Sequence, residues 1–304
     1  MSKDATGGVR FSLVLATVHR VTELERMIAS LDAQTYRNFE LILIDQNSDD
    51  RLIPVVERWK GNLRLIHLRT GPGLSKARNL GLTFTRGELV GFPDDDCWYL
   101  EDCLMRISEW FDRFPEYSLL STCARDETGD EVASRWPLQS CVIDRRSVLM
   151  TCISFCLFVR RQSVMDAGGF DEGMGLGSGT PFQSAEESDL ALRAIARGGR
   201  GWFEKSITVH HPRKDPANAP AERAFHYGLG FGYLLRKHHY GTRIWLYHVL
   251  RACGGAVRGI FRARHREALF YWNSALGRTA GYWYKANPLR YKKRPSSGLS
   301  SARG

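Results

Sequence analysis

Glu88-Leu89-Val90-Gly91-Phe92-Pro93-Asp94-Asp95-Asp96-Cys97-Trp98 decides the fold, because a short apolar run stops there in three adjacent carboxylates. Residues 89–92 are too few for a helix and suit a buried strand, and Pro93 has no N–H for a sheet ladder, so pairing is expected to end before the acids. In open α/β sheets ligands sit just beyond the carboxyl ends of the strands. Three crowded carboxylates repel one another unless a cation or hydrogen-bond donors offset them, and hard divalent ions such as Mg²⁺ or Mn²⁺ take oxygen ligands of this kind. The competing reading is a solvated acidic turn, which the buried lead-in disfavours.

Working outward, the apolar run 11–18 suits a central parallel strand, and Thr22 with Glu25 has the spacing of a capping box opening a helix to about residue 34. Strands are expected over 41–44 and 63–68, with helices over 52–59 and 74–84. This alternation implies right-handed βαβ crossovers and a parallel sheet, with Asp45 and the acid triplet on one edge. Further on, a helix is expected over 101–114, weak short antiparallel strands over 117–136, a strand over 154–159, a short helix over 161–167 and a mobile loop over 168–181 carrying six glycines. A helix over 186–197 opens with acids, where the macrodipole favours them, and a last strand runs from 207 to 211.

The 304 residues allow one large domain or two smaller ones. From Ala217 onward 16 Lys and Arg stand against 2 Asp and Glu, a net of +14, which leaves −4 for residues 1–216. That shift places a domain boundary at 216/217. Helices rich in aromatics and arginine are expected over 221–237, 242–264 and 267–285, followed by a Ser/Gly-rich tail expected to be disordered from 296. Seven cysteines without a C-x-x-C pair argue against a disulfide framework or a zinc site and fit a reducing cytoplasm. Residues 1–10 are polar, so no secretory signal is expected, and no apolar run is long enough to span a membrane.

Four ordered segments, Ser12-Leu13-Val14-Leu15-Ala16-Thr17, Leu43-Ile44-Asp45-Gln46-Asn47-Ser48, Gly73-Leu74-Ser75-Lys76-Ala77-Arg78-Asn79-Leu80-Gly81 and Phe92-Pro93-Asp94-Asp95-Asp96, resemble the family 2 inverting glycosyltransferases of GT-A fold. A fifth, Glu186-Glu187-Ser188-Asp189-Leu190 with Arg193 and Gly198, looks like that family's acceptor motif. The resemblance implies a Rossmann-like, mixed and mostly parallel sheet flanked by helices, and a hexosyl or deoxyhexosyl transfer from a nucleotide sugar. Thr17 and Asp45 would line the nucleotide pocket, with Arg78 approaching the nucleotide. Asp94 or Asp95 would hold the ribose, and Asp96 would reach a divalent metal on the diphosphate; the run of three leaves open which pair is used. Glu187, with Glu186 as the alternative, would be the base. Two features depart from the family pattern: Glu186-Glu187 replaces the usual Glu-Asp, and the loop after Asp45 lacks the commoner acidic-glycine pattern.

Inverting transfer needs a group to take the acceptor proton and something to neutralise the departing nucleoside diphosphate. His211, before Pro212 at a strand end, is placed to complete the metal shell or touch a phosphate. The glycine-rich loop is suited to order over the donor and exclude water. The acceptor expected is a saccharide or lipid-linked molecule in cell-surface polysaccharide or glycolipid synthesis. The basic, aromatic-rich C-terminal third fits peripheral contact with an anionic membrane, at the inner face of the cytoplasmic membrane, better than nucleic acid, since no nucleic-acid module is recognisable. A nucleotidyltransferase would need a glycine- and cation-rich phosphate loop near its first strand, and 16–22 has none. A catalytically silent membrane-surface module of the same fold is disfavoured by the intact Asp96 and Glu187.

Overall fold

The computed structural model describes residues 8–284. The N-terminal half is built from β1 (Phe11–Thr17), α1 (Thr22–Asp32), β2 (Phe39–Asp45), α2 (Ile53–Trp59), β3 (Leu65–Arg69), α3 (Leu74–Leu82) and β4 (Leu89–Gly91). Its strands lie side by side in the parallel order β3-β2-β1-β4. β1, β2 and β4 are near-continuous apolar runs because both faces of the sheet are covered, which removes any alternation. Leu13, Leu15, Ile42, Leu43 and Val90 are all fully enclosed.

The expected capping box does not form. Val21 occupies the position before the helix without a side-chain cap, Thr22 is already helical, and the Glu25 carboxylate accepts from Arg58 at 2.6 Å instead.

The second half continues with β5 (Trp98–Tyr99), α4 (Cys103–Arg113), β6 (Leu119–Arg125), β7 (Cys141–Ile143), α5 (Val148–Thr151), β8 (Leu157–Arg160), α6 (Arg161–Asp166), α7 (Glu186–Ala196) and β9 (Gly201–His210). The sheet extends β4-β8-β6-β9-β5, with β7 pairing β9, and β8 lies antiparallel between β4 and β6. The whole is the mixed α/β architecture expected. In 117–136, read as short antiparallel strands, β6 is a seven-residue strand inside the sheet, antiparallel to β8 as expected but parallel to β9. Ser121 and Thr122 made it look polar. Their hydroxyls are buried and donate to the carbonyls of Thr151 and Cys156, so the strand loses nothing by enclosing them. β9 is likewise longer than 207–211, because a register shift after Thr122 bulges out the polar Lys205-Ser206 and interrupts the apolar pattern.

Three helices complete the described chain: α8 (Ala221–Lys237), α9 (Thr242–Phe261) and α10 (His265–Tyr282). α8 and α10 cross at glycines. A Cβ on Gly277 would lie 2.1 Å from the Phe225 carbonyl oxygen, and one on Gly232 2.3 Å from that of Arg278, so only glycine permits this approach. The composition shift at 216/217 is not a break in packing: Leu229, Leu234, Leu235, Tyr240 and Tyr282 join the same buried cluster as the sheet. Asp189 of α7 accepts from Lys237 Nζ at 2.6 Å and His238 Nε2 at 2.8 Å, fastening α8 to the sheet layer. The expected disordered tail from 296 lies outside the described residues. All seven cysteines are free, and no helix among the described residues is long and apolar enough to cross a membrane.

Candidate active site

Register places the acids. Thr17 pairs with Asp45 across β1 and β2, and Ala16 bridges in parallel to Asp94, so Asp45 and the triplet share the carboxyl edge of the sheet as anticipated. Pairing of β4 stops at Gly91, and Pro93 leads the chain out. Beyond that edge lies a cleft of about 310 Å³ lined by Arg20, Gln46, the triplet, Lys214, Arg223 and Tyr227.

The triplet is held by side chains from distant segments. Thr17 Oγ1 donates to Asp95 Oδ2 at 2.6 Å, and Arg20 Nη1 lies 2.5 Å from Asp95 Oδ1 and 2.9 Å from Asp96 Oδ2. Lys214 Nζ meets the same Asp96 oxygen at 3.0 Å. Burial pushes the Asp95 carboxyl up, against the pull of Thr17 and Arg20. Burial also acts to raise Asp96, but His211 and Lys214 outweigh it and hold that group below the usual carboxylate range.

Asp94, Asp96 and His211 each present a ligand atom within 4.8 Å of the others. Asp96 Oδ1 is buried without a hydrogen-bond partner and faces His211 Nε2 at 3.2 Å. His211 Nδ1 lies 2.7 Å from the Pro212 carbonyl, which can only accept, so this nitrogen carries a proton and Nε2 is the atom turned to Asp96. Between that nitrogen and a carboxylate oxygen at this distance sits either a proton or a cation. The set of two carboxylates and an imidazole, steadied by stacking of His211 on Phe155 at 4.6 Å, therefore fits a hard or borderline divalent ion.

Asp45 and Thr17 stand behind the cleft, 0% and 1% exposed. Asp45 Oδ1 accepts from the Asn47 amide at 2.8 Å and its Nδ2 at 2.7 Å, while Oδ2 lies 3.2 Å from His67 Nε2, so this carboxylate folds the loop after β2. Arg78, expected to approach the nucleotide, lies beneath the cleft and touches its wall at Asp94. It is 1% exposed, with Nη2 donating to Asp94 at 3.0 Å and Nη1 to Glu186 at 3.1 Å. Its guanidinium thus joins the triplet to the acidic start of α7.

Glu186 is buried, and burial raises its carboxyl although Arg78 opposes this. Glu187 is pushed well above the ordinary carboxylate value by burial and by Glu186 beside it, although its own backbone N–H and Arg78 oppose this. The loop 168–181 is tied in place rather than free: Ser75 Oγ donates to Met174 O at 2.7 Å and Leu74 N to Leu176 O at 2.8 Å. Gly175 there has φ +93°, and a Cβ on it would come within 2.9 Å of Ser75 Oγ and 3.1 Å of Glu186 Cδ, so the loop lies directly on Glu186. Leu176 and Gly177 form one wall of the cleft.

Sequence reasoning missed Arg20, Lys214, Arg223 and Tyr227. The only signal was a cation shortly after each of two strand ends, Arg20 beyond β1 and Lys214 beyond β9, and neither carries a local pattern.

Comparison with other proteins bears on the family and the fold. The profile described as "Glycosyl transferase family 2" matches residues 12–167, just over half of the chain, from β1 to the end of α6. An "uncharacterized glycosyltransferase" of Haemophilus influenzae is 31% identical over 93 residues, covering 30% of this chain and 31% of that protein. EpsJ, an "uncharacterized glycosyltransferase" of Bacillus subtilis, is 35% identical over 89 residues, 28% of this chain and 26% of that one. The chain thus aligns with less than a third of the length of these curated relatives. In three dimensions the S. aureus TarS fragment 1-349, solved in complex with UDP-GlcNAc, superposes with a TM-score of 0.58 at 15% identity, covering 91% of this chain and 93% of that one, which shows a shared fold. With the profile spanning the strands that carry Thr17, Asp45 and the acid triplet, the chain belongs to glycosyl transferase family 2.

Proposed function

We propose that the protein transfers a hexosyl or deoxyhexosyl group from a nucleotide sugar to an acceptor hydroxyl with inversion, using Mg²⁺ or Mn²⁺ held by Asp96 with Asp94 and His211. The observation that carries this reading is the buried, unpartnered Asp96 Oδ1 beside His211 Nε2 at the floor of the cleft. Bound there, the ion would supply Lewis-acid neutralisation of charge on the departing diphosphate. Arg20 and Lys214, now paired to the triplet, are the cations nearest that charge. Asp94 or Asp95 holds the ribose, and Thr17 and Asp45 shape the nucleotide pocket from behind.

In a single displacement the acceptor oxygen bonds to the anomeric carbon as the bond to the diphosphate breaks on the opposite face, and the electron pair leaves with the diphosphate. Glu187 takes the acceptor proton, a task suited to a carboxylate whose affinity for protons is raised; Glu186 is the alternative. Arg78 acts as a positioning residue between the two halves of the site. The wall formed by the loop 168–181 excludes water from the donor.

A nucleotide sugar as donor class is supported by the UDP-GlcNAc held by the structural neighbour. The acceptor is a saccharide or lipid-linked molecule of cell-surface polysaccharide or glycolipid synthesis, reached from the inner face of the cytoplasmic membrane. Supporting peripheral contact, α9 exposes Leu246, Leu250, Val257 and Phe261, and α10 exposes Leu269 and Trp272. Successive members of each set stand three, four or seven residues apart, so each lies on one helix face, with Arg243, Arg258, Arg262 and Arg266 exposed alongside.

Thermal melting with a panel of sugar nucleotides and Mn²⁺ tests the reading. A donor at a hundredfold its Kd adds about 2.7 kcal/mol to stability, which for a chain of this size raises Tm by about 4 °C. Asp96→Ala should abolish that Mn²⁺-dependent shift, measured from the variant's own Tm; an undiminished shift would refute the metal site.

A further inference from the structure

We propose that the acceptor carries a phosphate or diphosphate, and that an arginine-lined pocket remote from the acid triplet holds it. This rests on the transferase reading and deepens it by naming the acceptor's chemical class.

A groove of about 600 Å³ runs from Asp94 and His211 past Lys214, Arg223 and Tyr227 to Arg251 and Tyr271. There it meets a second cavity of about 480 Å³, with which it shares Ala133, Ser134, Arg135, Arg251 and Tyr271. The second cavity is lined by Arg135, Arg251, Arg258, Arg278 and His248 and by no carboxylate. Elsewhere in the chain Arg20, Arg78, Arg193, Arg213 and Arg264 each meet an acid. Around this cavity none of the four arginines has a carboxylate partner among the described residues.

The charge is uncompensated from within as well. Arg278 gives Nη1 to the His248 carbonyl at 2.6 Å, but its Nε is buried without a partner. Burial and the adjacent Arg251 push Arg278 down to about 10, and burial with Arg278 and Arg251 pushes His248 down to about 4. His248 is 8% exposed, and its ring makes no hydrogen bond among the described residues. Clustering like charges against a partly buried wall is unfavourable unless an anion offsets it. Guanidinium forks match phosphate oxygens two at a time, and a cavity of this size admits a phosphoryl group with its neighbouring atoms. The groove then carries the rest of the acceptor back to the reacting centre, which fixes which hydroxyl is presented.

Calorimetric titration of the full-length protein with inorganic pyrophosphate, without divalent metal, tests this. Wild-type protein should bind it, and Arg135→Ala/Arg258→Ala, two exposed positions whose loss does not threaten folding, should weaken binding at least about tenfold, as expected when two charge-assisted hydrogen-bonding groups are lost. Arg20→Ala, in the donor cleft, should not. Sedimentation with neutral phosphatidylcholine vesicles, with and without a prenyl diphosphate, distinguishes the source: enrichment on the diphosphate vesicles supports a lipid-linked acceptor, and pyrophosphate binding without enrichment supports a soluble phosphorylated one. No binding of pyrophosphate, equal affinity in the double variant, loss only in Arg20→Ala, or preference for glucuronate over pyrophosphate would each overturn the proposal. A Mn²⁺- and donor-dependent rise in the wild-type Tm alongside any of these would leave the transferase reading standing.

Discussion

Asp189→Asn should loosen the basic helices from the sheet layer. Asp189 is 0% exposed; its Oδ1 meets Lys237 Nζ at 2.6 Å and His238 Nε2 at 2.8 Å, and its Oδ2 meets Arg193 Nε and Nη2, both at 2.8 Å. An amide keeps one accepting oxygen but turns an NH₂ toward cationic donors. Breaking a buried charge network of this kind costs about 3 to 5 kcal/mol, and the lower end applies because the three partners keep 23%, 13% and 19% exposure and regain water. With an unfolding entropy of about 2.1 cal/mol/K per residue, about 3 kcal/mol lowers Tm by about 5 °C. The sign with pH follows. Burial acts to raise Asp189, yet His238, Lys237 and Arg193 hold it well below the ordinary range. The stabilisation is therefore complete above the unfolded value of about 4 and is lost as pH falls from there through the folded value. Paired melts of wild type and variant should show the full gap at neutral pH and a shrinking one below about pH 4. A gap under about 1 °C at neutral pH, or one that does not narrow in acid, would refute the reasoning.

Glu187→Gln should keep the donor- and Mn²⁺-dependent melting shift while transfer falls by about 10²- to 10⁴-fold, since the amide cannot take the acceptor proton; turnover near wild type would move the base to Glu186 or elsewhere. Phe261→Ser with Trp272→Ser, at side chains 86% and 51% exposed, should cut sedimentation with anionic liposomes by at least about tenfold without unfolding the chain. Equal partitioning of both proteins would show that these apolar faces do not meet the bilayer.

What the sequence determined by itself is local. β1, β2 and β4 are short apolar runs closed by polar or breaking residues, and α3, α7 and α8 begin within a residue of where the pattern places them, because period and punctuation are properties of adjacent residues. The triplet announced a charged strand end for the same reason, and the ordered segments around it carried the family. Tertiary structure decided what those charges meet. Thr17 finds Asp95 78 positions away and Arg78 finds Glu186 108 positions away, so neither pairing has a sequence period that could reveal it. β6 hid because carbonyls of α5 and of the turn before β8, far along the chain, satisfy Ser121 and Thr122. The C-terminal arginines looked like one basic surface in the composition. Folding divides them between an exposed face, represented by Arg243, Arg262 and Arg266, and a cavity lined by Arg251 and Arg278 together with the exposed Arg258, because helix rotation and the close glycine contacts of α8 with α10 set which side of each helix meets the core.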